Sequence, residues 1–115
     1  MHSLLVEMYG VPDALSFLGT EIDDVVTETP FYKVFPELKT KRGSEKTPDI
    51  CAFDQNHKIV YIGEIKGQND YRNIMDARNQ LYEYLKVLRR NSIPAEGFII
   101  VGDYIEIIKT RCCAS

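Results

Sequence analysis

Three charged side chains sit where strand-like apolar runs should exclude them. In "TPDICAFDQNHKIVYIGEIKGQND", residues 47–70, Asp49 opens one run, and Glu64 and Lys66 lie inside the end of the next. Charge in such a run costs stability unless it is paired, hydrated or bound to metal. The polar "DQNHK" between the runs signals a hairpin. With a four-residue loop, Gln55 to Lys58, Asp54 faces Ile59 and Asp49 faces Glu64. Side chains alternate with period two, which puts Asp49, Cys51 and Phe53 on one face with Val60, Ile62, Glu64 and Lys66. Ile50, Ala52, Ile59, Tyr61 and Ile65 take the other face, so both are apolar, as in central strands covered on two sides.

Directly opposed carboxylates, their Cβ atoms roughly 5 Å apart, repel one another. A hard divalent cation between them removes that repulsion, and magnesium needs only a few carboxylates while keeping several waters. Lys66, one side-chain repeat beyond Glu64, then reaches a metal-bound water or a phosphate oxygen. The competing arrangement is structural: an Asp49–Lys66 surface ion pair with Glu64 solvated.

The elements around this hairpin follow from punctuation and periodicity. "HSLLVEMY" and "PDALSFLG" read as short helices ending at Gly10 and Gly19, with Pro12 at a first helical position. "TEIDDVV" reads as a third helix, capped by Thr20 and limited by Pro30. "FYKVFPELKT" has strand-like composition, with Pro36 marking an edge. In "YRNIMDARNQLYEYLKVLRR", Ile74, Ala77, Leu81, Leu85 and Leu88 form one stripe of a long helix. Asp70 or Asn69 caps its start, Arg89 and Arg90 suit its C-terminal dipole, and Pro94 follows. "GFIIVG" and "YIEIIKT" read as closing strands. Helices, three strands, a helix and one or two strands make an α/β sandwich around a mixed sheet, a single domain over residues 1–115.

Composition narrows the function classes. No apolar run is long enough to span a bilayer and the start lacks a signal pattern, so an intracellular (cytoplasmic), soluble protein with no membrane partner is expected. Cys51, Cys112 and Cys113 have neither zinc nor disulfide spacing; Cys51 is expected in the core. A formal net charge of -3 argues against nucleic-acid binding by bulk charge. Locally, "LKTKRGSEK" concentrates Lys39, Lys41, Arg42 and Lys46, and Arg89–Arg90 forms a second cluster. Each is either a solvated surface or a rim that contacts phosphates.

Pro48-Asp49 and Glu64-Ile65-Lys66, with fourteen residues between the two acids, resemble the signature of the PD-(D/E)XK nuclease superfamily. "QLYEY" resembles the Q-x-x-x-Y element of RecB-type exonucleases, and "EIKGQND" the compact VRR-type nucleases and Holliday-junction resolvases. The resemblance covers roughly Thr20 to the C-terminus and implies a restriction-endonuclease-like αβββαβ core, a central mixed β-sheet flanked by helices. It implies Mg2+ or Mn2+ held by Asp49, Glu64 and the Ile65 backbone carbonyl, with Lys66 acting on the attacking water and the phosphate. Gln80 and Tyr84, four apart on one helix face, would position the strand. Glu21 would be the acid of the first helix, with Glu7 and Glu28 as alternatives. Lys39, Lys41, Arg42 and Lys46 would neutralise flanking phosphates. The function so implied is phosphodiester hydrolysis of nucleic acid, DNA first, in repair, recombination or phage and mobile-element biology, with a homodimer as the assembly that suits cutting two strands. Two rival readings are an inactive nuclease-fold subunit that only binds nucleic acid, and an α/β interaction protein with charged strand ends.

Overall fold

The computed structural model of the chain describes residues 22–109. Five strands, β1 (Asp24–Thr27), β2 (Ile50–Phe53), β3 (Ile59–Lys66), β4 (Glu96–Val101) and β5 (Tyr104–Ile108), form one sheet in sequence order. All neighbours are antiparallel except β3 and β4, which are parallel. A parallel pair needs a crossover, and α2 (Tyr71–Arg90) supplies it. The fold is therefore α/β around a mixed sheet, with the long helix and the closing strands where periodicity placed them. Asp70 caps α2 by accepting from the Asn73 N–H at 2.8 Å, and Arg89 and Arg90 occupy its last turn.

The apolar stripe of α2 lies on one sheet face. Ala77, Leu81, Leu85, Val87 and Leu88 pack there with Cys51, Ile62, Ile99 and Val101 in the larger buried cluster. Ile50, Ala52, Tyr61, Phe98 and Ile100 form a second cluster on the other face. Both faces of the central strands are thus apolar, as the hairpin pattern requires. Cys51 is buried, and burial pushes its thiol up to about 12, so it behaves as a small core hydrophobe. Among the described residues no helix is long and apolar enough to cross a membrane.

Two expected elements change type. Residues 24–27, assigned by the Thr20 cap to a helix, form β1 and pair with β2 from Asp24↔Phe53 to Thr27↔Ile50. Val25 and Val26 are β-branched, and long-range pairing outweighs a local cap signal. "FYKVFPELKT", read as a strand, instead forms a short helix, α1 (Phe31–Val34), and a 3-10 turn over Pro36–Leu38. Phe31 and Leu38 bury themselves in the larger cluster, and Pro36 takes the helix-start position that its fixed φ favours. The expected helices before Thr20 lie outside the described residues, as do Cys112 and Cys113.

The hairpin register holds where it matters and slips where it does not. Ile50↔Gly63, Cys51↔Ile62 and Ala52↔Tyr61 have the expected pairing, but a bulge follows and Phe53 faces Ile59 instead of Val60. The extra residue exchanges faces: Ile59 joins the larger cluster and Val60 packs against the second, the reverse of the sequence expectation.

Gly63 lies across from Phe98 on β4, and a Cβ there would run into the Phe98 ring. Gly63→Ala is expected to lower stability by about 2 kcal/mol, measured by urea denaturation, through overpacking. Combining it with Phe98→Ala should cost less than the sum of the two single changes.

Candidate active site

The site begins where β2 starts. One residue before the Ile50↔Gly63 pair, Asp49 stands across from Glu64, as the sequence register requires. The strand ladder stops there, and the Asp49 side chain replaces it: Oδ2 accepts from the Ile65 backbone N–H at 2.8 Å. In an extended strand the N–H and C=O of one residue point to the same side. The Ile65 peptide groups therefore face Asp49, while the Lys66 carbonyl turns to the other neighbour and accepts from Gly102 N–H.

Glu64 is 6% exposed, and its Oε1 is buried without a hydrogen-bond partner. Burial, then the Asp49 charge, pushes its carboxyl up to about 7; the Tyr84 hydroxyl, the Lys66 ammonium and the Asp49 backbone N–H act in the opposite direction. Tyr84 is itself buried, its ring edge-on to Phe31 at 6.0 Å, and its hydroxyl donates to the Thr47 carbonyl at 3.4 Å. Burial and the Glu64 charge hold the Tyr84 phenol well above its usual range, so it remains a proton donor. Helix α2 thus clamps the Thr47–Asp49 segment and the end of β3 together through one phenol.

The structure brings Asp49, Glu64, Lys66 and Tyr84 together. The Asp49–Lys66 surface pair is not formed: the ion pair among the described residues is Arg78–Glu106, at 2.6 Å, and Glu64 is buried rather than solvated. Gln80 is exposed on α2, one turn before Tyr84. Lys39, Lys41 and Arg42 are exposed and Lys46 is half-buried, all in the turn segment that leads through Thr47 to Asp49. Glu21 and Glu7 lie outside the described residues. Glu28 has a positive φ of 50° and its N–H donates to the Asp49 carbonyl at 3.0 Å, beside the site in the β1–β2 pair. The Thr47 carbonyl, which anchors Tyr84, escaped sequence reasoning because a backbone acceptor leaves no residue-type signal.

Among the described residues no three His, Cys, Asp or Glu converge as a metal-binding group. The pair that does converge, Asp49 and Glu64, nevertheless suits a hard cation: oxygen donors, one of them an orphaned buried carboxylate oxygen, beside a backbone carbonyl edge. An open groove of about 620 Å³, lined by Ile59, Tyr61, Leu85, Arg89, Ile93 and Pro94, lies at the opposite end of β3 and shares no residue with the carboxylates. No family model matches the chain, and neither does any curated protein or solved structure.

The folded protein binds the Glu64 proton more tightly than the unfolded chain, whose carboxyl titrates near 4.5. Its contribution to stability is full below that pH and is lost as pH rises through about 7. Metal-free protein is expected to lose on the order of 3 kcal/mol from this group between pH 4.5 and 8. Glu64→Gln should flatten that part of the profile and be the more stable of the two at pH 8, as denaturation at several pH values would reveal. Equal slopes for parent and variant would mean that Glu64 titrates normally.

Proposed function

We propose that this chain is a metal-dependent nuclease of the PD-(D/E)XK kind, hydrolysing phosphodiester bonds with DNA as the first candidate substrate. The supporting observation is Glu64: a buried, partly unpartnered carboxylate beside Asp49, with Lys66 two residues on in the same strand. An ordinary structural role would satisfy that oxygen, because leaving a buried acceptor unpaired costs about 1–3 kcal/mol. The order β1, β2, β3, α2, β4 supports the βββαβ part of an αβββαβ core, although the helix expected to lead into it over "TEIDDVV" is β1 from Asp24 on.

Asp49, Glu64 and the Ile65 carbonyl would hold Mg2+ or Mn2+. The bound cation supplies a water of lowered pKa and neutralises charge on the phosphate. The chain's own groups do the rest. Asp49, fixed by the Ile65 N–H, presents its remaining oxygen. Tyr84 keeps Glu64 at the end of β3 and keeps Thr47–Asp49 against it. The Lys66 ammonium orients the water and offsets charge on the phosphoryl oxygens in the transition state. Gln80, exposed one turn along α2, contacts the strand, and Lys39, Lys41, Arg42 and Lys46 lie on the path of flanking phosphates.

The test is a nuclease assay on single-stranded, duplex and branched substrates with magnesium, manganese or chelator. Asp49→Asn should abolish cleavage and weaken metal binding, with metal-free stability level or higher. Lys66→Ala should abolish cleavage while metal binding stays equal or tightens, because a transition-state group is lost and both carboxylates remain. Calorimetric titration separates the two. If Asp49→Asn binds metal and cuts like the parent, the carboxylate site is wrong; if the parent binds nucleic acid without metal and never cuts, the chain is a binding module.

Tyr84→Phe isolates the clamp. The ring and its Phe31 contact persist, so stability should fall by only about 1 kcal/mol. Cleavage should fall at least tenfold as Glu64 and Thr47 lose their shared donor. Equal small effects on both would make Tyr84 a packing residue.

A further inference from the structure

The two basic clusters that are far apart in sequence are one surface in the fold. Gly43 packs against Val87 of α2, where an added Cβ would lie 2.6 Å from Cγ2, and its φ of +85° suits glycine. The Arg90 guanidinium donates to the Arg42 carbonyl at 3.4 Å. Residues 39–46 are thereby laid along the C-terminal half of α2. Together, residues 39–46 and 71–90 hold nine of the chain's fourteen Lys and Arg but only three of its seventeen Asp and Glu, an excess of six positive charges in a chain of net charge -3.

The outward side of α2 adds aromatic faces to this charge. Arg78, Tyr82, Lys86 and Arg90 recur every four residues and form one ridge, about 18 Å long at 1.5 Å per residue. The helix's two acids, Asp76 and Glu83, fall outside that row. Arg78 is held by Glu106, whereas Lys86 and Arg90 are exposed. Tyr82 is 49% exposed, and Tyr71, at the head of the helix near the β3 end, is 77% exposed. A solvated helix face has no need of exposed tyrosines. Alternating cations and aromatic rings are what an unpaired strand uses, phosphates on the former and bases stacked on the latter.

We infer that the outer ridge of α2, with Tyr82, Lys86 and Arg90 continuing into Arg42 and Lys41, is a track for a single unpaired nucleic-acid strand. The inference rests on the nucleic-acid reading above and names its substrate class as single-stranded, but the track itself needs neither metal nor cleavage. Residues 39–46 run on through Thr47 into Asp49, so the track and the carboxylate pair share one continuous stretch of chain. Duplex, with its bases stacked inside, gains only the phosphate contacts.

Fluorescence anisotropy in chelator, with the full chain and labelled 20-nucleotide oligothymidine, oligouridine and a hairpin duplex, tests this. Both single strands should bind more tightly than the duplex. Tyr82→Ala should weaken the single strands at least about fivefold and leave the duplex nearly unchanged. Lys86→Glu with Arg90→Glu should weaken all three and lower the salt slope by about 0.7 per cation removed for single strands. These side chains are exposed, so circular dichroism should match the parent; melting should match for Tyr82→Ala and fall slightly for the double variant, which loses the Arg90–Arg42 carbonyl contact. Absence of binding, equal affinity for duplex and single strand, or a Tyr82→Ala variant that binds like the parent would each overturn the track. A parent that binds single strands yet never cuts with metal sinks the nuclease reading and leaves the track standing. One that cuts, with ridge variants cutting and binding as well as the parent, does the reverse.

Discussion

The Asp49 carboxylate does in one place what a strand would otherwise do. β2 begins at Ile50, and without a substitute the Ile65 N–H would lose its ladder partner inside a sheet buried on both faces. A buried orphan N–H costs stability comparable to a lost hydrogen bond. Asp49 supplies the acceptor, and this fixes its carboxylate against the end of β3, one residue from Glu64. The site's geometry is therefore a consequence of how the sheet terminates, and the side chain that closes the ladder is also the one that raises the proton affinity of its neighbour.

That arrangement would drift without the helix. Tyr84 reaches from the buried face of α2 to the Thr47 carbonyl and to Glu64, so the chain entering β2 and the chain leaving β3 share one anchor. The helix is held in turn by Leu81 against Gly97 and by Val87 against Gly43, contacts close enough that neither glycine has room for a Cβ. Because β3 and β4 are parallel, their carboxyl ends open at the same edge of the sheet, the usual place for a site in such folds.

The parts legible in sequence were those set by parity and period. Asp49 facing Glu64 came from alternation and a four-residue loop; the connection between Phe53 and Ile59 is one residue longer, and the bulge after Ala52 restores that register, whereas the α2 stripe needed only spacings of three and four. The bulge after Ala52 was invisible: "DQNHK" fits more than one loop closure, and the extra residue exchanges Ile59 and Val60 between two faces that are both apolar, so the pattern carries no penalty for either choice. "FYKVF" misled because aromatic and β-branched residues fit a pleated surface equally well as a buried helical turn. What decided it was Phe31 filling the space beside Tyr84. The carboxylate cap on Ile65 and the Thr47 carbonyl under Tyr84 involve backbone atoms, for which composition gives no signal. The merging of the two basic clusters depended on packing between segments some forty residues apart.

The energetic cost of the carboxylate pair is borne by the core around it. Glu64 sits among residues of the larger buried cluster, and the strand that carries it is clamped between two apolar faces. A side chain that must be neutralised, paired or liganded to be comfortable can persist there only because Ile62, Ile99, Leu81 and Leu85 contribute far more through burial than the orphaned oxygen removes. Close-packed interiors yield little, so the core holds Glu64 at the end of β3. Two ways to satisfy Oε1 are chemical: a proton below about pH 7, or a cation above it. A cation held by this carboxylate in the folded chain and not in the unfolded one would stabilise the fold by mass action.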